Sequence, residues 1–329
     1  MNLVRAELDR LVHRRFVHIM LVVIVGVLAL VAFGFAATSE PPSQYELDYA
    51  ARQATAAQVE YDRERNACLD VARGRTPAVP NRFPLRPNCD YGPRPTANDF
   101  LTFEFVLVRE FEPLIYLAAV VLCLFAFLVC ASFVGAEWTS GGLINLLLWR
   151  PQRVAVLGAK LGVALGAVLA TSVLFLAAWI GTFMLVGYTR GAIGEATSGQ
   201  MMSFGLLLLR VIVMVLAVAA GGFALASLGR HTAMALGGLI AYLLVYELGI
   251  TIVFEILGET WPWRLRLLTY AVAWLFKEVE FPGRYSCGPD GCFSAETTVT
   301  WQDAGIVGGA VVIGLVVAAF LALRRRDIT

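Results

Sequence analysis

Long uninterrupted runs of apolar residues dominate the pattern along this chain. A helix needs roughly 20 such residues to cross about 30 Å of hydrocarbon. Runs of this kind cover 16–37, 113–134, 154–187, 204–228, 232–254 and 304–323. Because lipid offers no water to open backbone groups, each run must be helical. The pattern therefore predicts an all-α polytopic membrane protein with six transmembrane helices.

The basic residues indicate how these spans are oriented. If the N-terminus is cytoplasmic, the inside segments hold eleven lysines and arginines, and the two shorter outside loops hold five. This bias follows the positive-inside rule. The large first outside segment, 38–112, holds nine arginines and twelve acids, but it is longer than the roughly 60 residues over which the rule operates. Both termini, including the tail 324–329, are therefore predicted to be cytoplasmic.

The segments outside the spans carry patterns of their own. Residues 1–15 alternate apolar and charged positions at helical spacing, which predicts an interfacial helix on the cytoplasmic leaflet; a simple cationic anchor for the first span fits equally well. Within 38–112, an Ala-rich stretch over 45–73 lacks Pro and Gly and predicts a helix. The aromatic segment 255–303 is too polar to span twice, which favours short helices in the outer leaflet.

Four cysteines fall in the predicted outside segments: Cys68, Cys89, Cys287 and Cys292. An even set on the oxidising side of the membrane indicates two disulfides. Four cysteines allow three pairings, of which the two local ones, Cys68–Cys89 and Cys287–Cys292, are favoured. Four free thiols are the alternative.

The cytoplasmic link over 135–153 has the most specific pattern, GAEWTSGGLINLLLWRPQR. Thr139 or Ser140 can begin a short helix, and Arg150 before a proline would end it. Leu143 and Leu147 would share its apolar face. Such a helix can dock in the groove of a partner or lie as a turn on the membrane surface.

The run from Gly135 to Gly142, with Arg150, Arg153 and Lys160 after it, resembles the same link in ABC-2-type transporter permeases. The resemblance extends to the predicted layout: an N-terminal cytoplasmic helix, six spans, short outer helices between spans five and six, and a basic end. The long first outside segment departs from the most compact members, which have a short one. The subfamily and the transported substrate therefore stay open.

The resemblance implies the membrane permease subunit of an ATP-driven exporter in the bacterial plasma membrane. Such permeases pair, with a second copy or a sister permease, and bind two ATP-binding cassette ATPase subunits. ATP and Mg would then be bound by the partner ATPase and not by this chain. The link would carry the coupling helix, with candidate contact residues Glu137, Trp138, Thr139, Ser140, Leu143, Leu147, Arg150 and Arg153.

The resemblance also implies that spans two and five line the translocation path. Candidate residues are Phe125, Tyr242, Tyr246 and Glu247. A carboxylate within a span is energetically costly and points to function. For Glu247 the alternatives are contact with substrate, structural pairing, and wetting at the interface. For Arg210 in span four they are snorkelling to headgroups, and pairing with Glu195 or with substrate.

Other chemistry is sparse. The chain has no G-x-x-x-x-G-K-[ST] phosphate loop, so an ATPase must come from another chain. No catalytic or metal-ligating set stands out, and a net charge of +1 does not favour a nucleic-acid partner. Two further functions compete: an outer-leaflet lipid-modifying enzyme, which would need a clustered acid, base or nucleophile, and a non-transporting scaffold or sensor whose external segment binds a partner.

Overall fold

The computed structural model describes residues 3–39, 43–73, 75, 89, 92–101, 105–142, 145, 152–257, 262–281, 285–288, 291–294 and 297–325. Six of its helices are long and apolar enough to cross a membrane. We call them spans one to six: Arg15–Thr38, Leu107–Thr139, Arg153–Arg190, Ser198–Gly229, Thr232–Phe254 and Trp301–Arg325. The predicted class, an all-α polytopic membrane protein, is confirmed.

The spans differ in how much of their surface the chain itself covers. In span two, 61% of the most apolar window is buried, against 11% in spans one and six and 6% in span five. Span two is therefore the central helix of the bundle. The apolar side chains of spans one, five and six should contact lipid or another subunit, since exposing so large an apolar surface to water is unfavourable.

The chain divides into two compact units. The first comprises Met1–Leu30, Glu110–Thr182 and Glu195–Thr329. In it, span two packs closely on spans four and five. A Cβ at Gly222 would lie 2.9 Å from the backbone oxygen of Phe127, and a Cβ at Gly135 would lie 2.5 Å from the backbone nitrogen of Thr232. Glycine is therefore required at both positions for the backbones to approach this closely.

Short elements lie between spans five and six in this unit. A 3₁₀ turn, Pro262–Leu265, leads into a helix, Leu267–Phe276. Four short strands follow: β1 Glu278–Phe281, β2 Tyr285–Gly288, β3 Gly291–Ser294 and β4 Thr297–Thr300. Strand β1 pairs antiparallel with β4, and β2 pairs antiparallel with β3. The sequence predicted the short helix but not the strands.

The second unit comprises Val31–Arg109 and Phe183–Gly194. Its main element is the helix Gln44–Ala72, which Ser43 caps in a capping box with Glu46. A 3₁₀ turn, Ala97–Phe100, follows in the chain. The residues just before this turn are fixed to the long helix. Gln58 Nε2 donates to the backbone oxygen of Pro95 at 2.6 Å, and Arg94 pairs with Asp62 at 2.5 Å.

The ends of spans one and three meet in the second unit. The Ser39 hydroxyl donates to the backbone oxygen of Arg190 at 2.8 Å and accepts from the backbone nitrogen of Phe105 at 3.2 Å. The rings of Phe35 and Phe183 pack edge to face, 5.6 Å apart. The buried Ser39 hydroxyl and the aromatic contact therefore hold the ends of spans one and three together.

Cys68 and Cys89, which the sequence paired, are joined by a disulfide, and both side chains are buried. The Cys287–Cys292 pair remains a prediction, because those side chains lie outside the described part of the structure. The backbone of the β2–β3 hairpin does place Cys287 directly opposite Cys292. Cys123 and Cys130 in span two are free thiols.

Replacing both Cys68 and Cys89 with serine should loosen the second unit. The bond closes a loop with a sequence separation of 21, and a loop of that order stabilises by about 3 kcal/mol. Limited proteolysis of the purified chain should then cut the helix Gln44–Ala72 faster than in the wild type. Cys123→Ala, which removes a free thiol from span two, is the matched control. Equal cleavage rates in both variants would contradict the prediction.

Candidate functional site

The N-terminal helix, Leu3–Val12, presents different side chains to its two sides. Glu7 and Leu11 lie one turn apart and are buried, with 0% and 2% of their surface exposed. Val4, Leu8 and Val12 form an adjacent stripe and are 43–56% exposed. The helix therefore packs against the chain through a face that contains a carboxylate. It leaves an apolar stripe for the membrane surface or a partner.

The Glu7 carboxylate belongs to a group of four charges, here called the charge cluster: Glu7, Arg14, Glu137 and Lys160. Arg14 is half-buried and the other three are buried. Lys160 Nζ lies 2.5 Å from Glu7 Oε2 and 2.5 Å from Glu137 Oε2. The second contact is an ion pair whose geometry does not satisfy a hydrogen bond. Arg14 Nη2 donates to Glu137 Oε1 at 3.3 Å. Three elements therefore meet here: the N-terminal segment, the end of span two and the start of span three.

The environment of the charge cluster is apolar. Lys160 is fully buried and Glu137 is only 8% exposed. The cationic ends of Lys160 and Arg14 both lie 5.0 Å from the centre of the Phe133 ring. Burial lowers the pKa of the Arg14 guanidinium from its ordinary value, against the opposing influence of Glu137 and Glu7. A fifth charge, Arg10, is half exposed and contacts Glu7 Oε1 at 3.2 Å from the solvent side. The two buried acids are tolerated in this low-dielectric site only while they stay paired with bases.

The link begins directly beyond the charge cluster. Trp138 is half-buried, and the guanidinium carbon of Arg230 lies 5.0 Å from the centre of its ring. Thr139 and Ser140 are exposed. Gly141 follows with φ +71°, a conformation that favours glycine and turns the chain out of span two.

The remaining coupling candidates divide in two. Leu143, Leu147 and Arg150 lie outside the described residues. Arg153 begins span three, and its Nη1 donates to the backbone oxygen of Leu323 near the end of span six at 3.5 Å. The start of the link is therefore held against the turn between spans four and five, and its far end joins the start of span three to the end of span six.

The candidate path residues lie in a different part of the first unit. Phe125 is buried, with 3% exposure. Tyr242–Glu247 form a π-helical turn inside span five, a distortion that occurs often at functional sites. Tyr242 and Tyr246 stack with ring centres 5.3 Å apart, and the Tyr246 hydroxyl donates to the backbone oxygen of Leu265 at 2.8 Å.

Glu247 is buried, with 3% exposure, and both oxygens of its carboxylate accept hydrogen bonds. Its Oε2 accepts from Arg266 Nε at 2.7 Å, and its Oε1 accepts from the Leu268 backbone nitrogen at 3.1 Å. The Tyr242 hydroxyl also donates to Oε1. Of the alternatives for this carboxylate, structural pairing describes its surroundings, since it ties span five to the start of the helix Leu267–Phe276.

Sequence reasoning named Glu137 but missed Glu7 and Arg14 as its neighbours, and it did not link Glu247 to Arg266. Two usable signals were present. Lys160 is one of the chain's two lysines, among 26 basic residues, and its ammonium is a compact charge suited to bridging two carboxylates. Glu7, one turn from Leu11 on a helix of alternating character, was the second signal. Among the described residues, no group of three His, Cys, Asp or Glu side chains could hold a metal ion.

Comparison with known families decides what class of protein holds this arrangement. The model of a family described as "ABC-2 family transporter protein" matches residues 1–328. The chain belongs to the ABC-2 transporter family. No curated protein matches it. As an ABC-2 family member it is a membrane permease component of a transporter, and permeases of this family generally work with ATP-binding cassette components.

Proposed function

We propose that this ABC-2 permease forms the translocation path of an ATP-driven exporter and receives mechanical work from a separate ATPase subunit. The observation that carries the proposal is the charge cluster. It joins the N-terminal helix, the end of span two and the start of span three at the point where the link leaves the membrane domain.

The charge cluster would make the base of the link rigid, at the place where the ATPase would push on the permease. Glu137 lies two residues before Thr139, the last residue of span two, and is held by Lys160 from span three and by Arg14. A push on the exposed residues Thr139 and Ser140 would therefore move spans two and three together with the N-terminal helix. In this proposal Glu137 fixes the base of the link, and the residues beyond it contact the ATPase.

ATP would act by differential affinity. Two permease conformations that seat the link differently would bind the closed, ATP-loaded ATPase pair with different affinities, and that difference would drive the transition. Two ATPase subunits would serve two permease chains, the second being another copy or a sister permease. The weakly covered faces of spans one and five leave room for such a neighbour.

The proposal is tested by charging the link. The full-length tagged chain is purified from its native membrane with its ATP-binding cassette subunit, and ATP hydrolysis by the reconstituted pair is compared with that of the ATPase alone. Thr139→Arg should weaken ATPase binding by at least about tenfold, which corresponds to ~1.4 kcal/mol, because an extra charge would enter the docking surface. Hydrolysis that never responds to the permease would refute the proposal.

Thr189→Arg is the matched control. Both threonines are exposed near the end of a span, and each hydroxyl donates to a backbone oxygen of its own helix: Thr139 to Ala136 at 3.0 Å, Thr189 to Leu185 at 2.8 Å. They lie at the ends of consecutive spans, so they should face opposite sides of the membrane. Cysteines placed at the two positions should react with an impermeant thiol reagent from the cytoplasm at 139 and from outside at 189. The reverse labelling would remove the proposed docking site.

A further inference from the structure

A cavity of about 350 Å³ lies between spans four and six and the helix Leu267–Phe276. Its walls are almost entirely apolar and include Val213, Met214, Leu225 and Trp274. This volume falls within the range of about 300–1,000 Å³ typical of small-molecule sites. None of the charge cluster or the candidate path residues of span five lines it.

Glycines keep this cavity open. Gly221 in span four and Gly308 and Gly309 in span six line it, and a Cβ at any of the three would meet no other atom within 4 Å. These glycines are therefore not required for close helix packing. A larger side chain at each would project into empty space instead.

The cavity is about as long as one membrane leaflet is deep. Its wall on span four runs from Val213 to Leu225, a rise of roughly 18 Å along a helix. The whole hydrocarbon core is about 30 Å thick. An extended acyl chain in a single leaflet fits this depth.

Two cations, Arg210 and Lys277, lie just beyond one end of the cavity, one helical turn from Val213 and Trp274 in its wall. Arg210 lies one turn before Val213, its guanidinium carbon is 5.2 Å from the centre of the Trp301 ring, and its backbone oxygen accepts from Trp274 Nε1 at 2.9 Å. Lys277 Nζ contacts Ser203 Oγ at 2.9 Å, and the Lys277 backbone oxygen accepts from the backbone nitrogen of Trp301 at 2.7 Å. In the described part of the chain, neither cation has a carboxylate partner, Glu195 included. Tryptophans beside cations are typical of the headgroup level.

We propose that this cavity binds one acyl chain of an anionic membrane phospholipid, with Arg210 and Lys277 holding its phosphate. The apolar groove, its one-leaflet depth and the positive charge at its mouth together match a phospholipid and do not match a neutral lipid. The site is distinct from the proposed coupling to an ATPase and does not depend on it.

Native mass spectrometry of the full-length chain tests the site. The protein is equilibrated in detergent micelles with phosphatidylglycerol, or with diacylglycerol of the same chains as the uncharged probe. The wild type should retain one phosphatidylglycerol per chain and little diacylglycerol. Arg210→Gln combined with Lys277→Gln should lower phosphatidylglycerol retention by about tenfold. Gly308→Leu, which fills the cavity, should abolish it.

Gly314→Leu is the matched control for Gly308→Leu. It lies on the same span, a Cβ there also meets nothing within 4 Å, and it does not line the cavity. Equal lipid retention by the two leucine variants, or equal retention of phosphatidylglycerol and diacylglycerol by the wild type, would overturn the proposal. So would a change from dimer to monomer caused by Gly308→Leu, because the groove would then be an interface between copies. The charge variant alters no cavity wall, so it still tests the headgroup site if Gly308→Leu fails to fold.

Discussion

Replacing Lys160 with methionine should destabilise this ABC-2 permease by about 3–5 kcal/mol, the usual cost of removing one partner from a buried ion pair. Lys160 is fully buried between Glu7 and Glu137. Without its ammonium, the two carboxylates lose the one fully buried cation that lies between them. Glu137 keeps Arg14, and Glu7 keeps only the half-exposed Arg10, whose Nη1 lies 3.2 Å from Glu7 Oε1. We expect a large fall in the melting temperature of the purified chain and loss of the proposed ATP-driven transport.

Two further variants separate the charge cluster from general damage. Arg15→Met removes an exposed base at the start of span one, and it should change the melting temperature little. Adding Glu7→Gln to Lys160→Met should restore part of the loss, because one of the two carboxylates that lost their buried cation is neutralised and the two sites are in direct contact. If Lys160→Met had the same melting temperature as Arg15→Met, the charge cluster would not stabilise the fold. The proposal that it makes the base of the link rigid would then be wrong.

The sequence could predict the spans but not the charge cluster, and the reason is physical. Span length and apolar content are local properties, fixed by the thickness of the hydrocarbon core and by the need to close backbone hydrogen bonds. The Lys160–Glu7 contact joins residues 153 positions apart. Local spacing accounts for the contact of Glu7 with Arg10 at i+3. Nothing local specifies that Lys160 will also lie against Glu7, so that contact depends on how the helices pack.

The same division holds between spans five and six. The aromatic residues there predicted short helices, and Leu267–Phe276 is one. Strands β1 and β4 were not predicted, because each is only four residues long and its partner lies on the other side of the β2–β3 hairpin in the chain. The π-helical turn Tyr242–Glu247 was equally hidden, since helix propensity and apolar content do not distinguish a π-helical turn from the α-helix around it.

These observations change what Glu247 is expected to do. A carboxylate inside a span suggested contact with substrate, and a path-lining Glu247 would lower export when changed to glutamine while the protein stayed stable. In the structure the carboxylate is instead enclosed by Tyr242, Arg266 and the Leu268 backbone. Its main expected role is to fix span five against the helix Leu267–Phe276.

Arg266→Gln should therefore destabilise the permease nearly as much as Lys160→Met. Arg266 is the only cation paired with Glu247 among the described residues, and the carboxylate is 3% exposed. Removing the guanidinium leaves a buried charge whose remaining partners are neutral donors, at a cost of about 3–5 kcal/mol. Melting temperature and transport should fall together.

A double-mutant cycle decides between the structural role and the path role of Glu247. Glu247→Gln and Arg266→Gln should each destabilise, and the double variant should be more stable than the sum of the two losses predicts, by about 1–3 kcal/mol, because it buries no unpaired charge. Arg264→Gln, two residues away in the turn Pro262–Leu265, is the control. If Glu247→Gln abolished transport without lowering the melting temperature, and the two losses simply added, Glu247 would act on the substrate and the ion pair with Arg266 would be incidental to the fold.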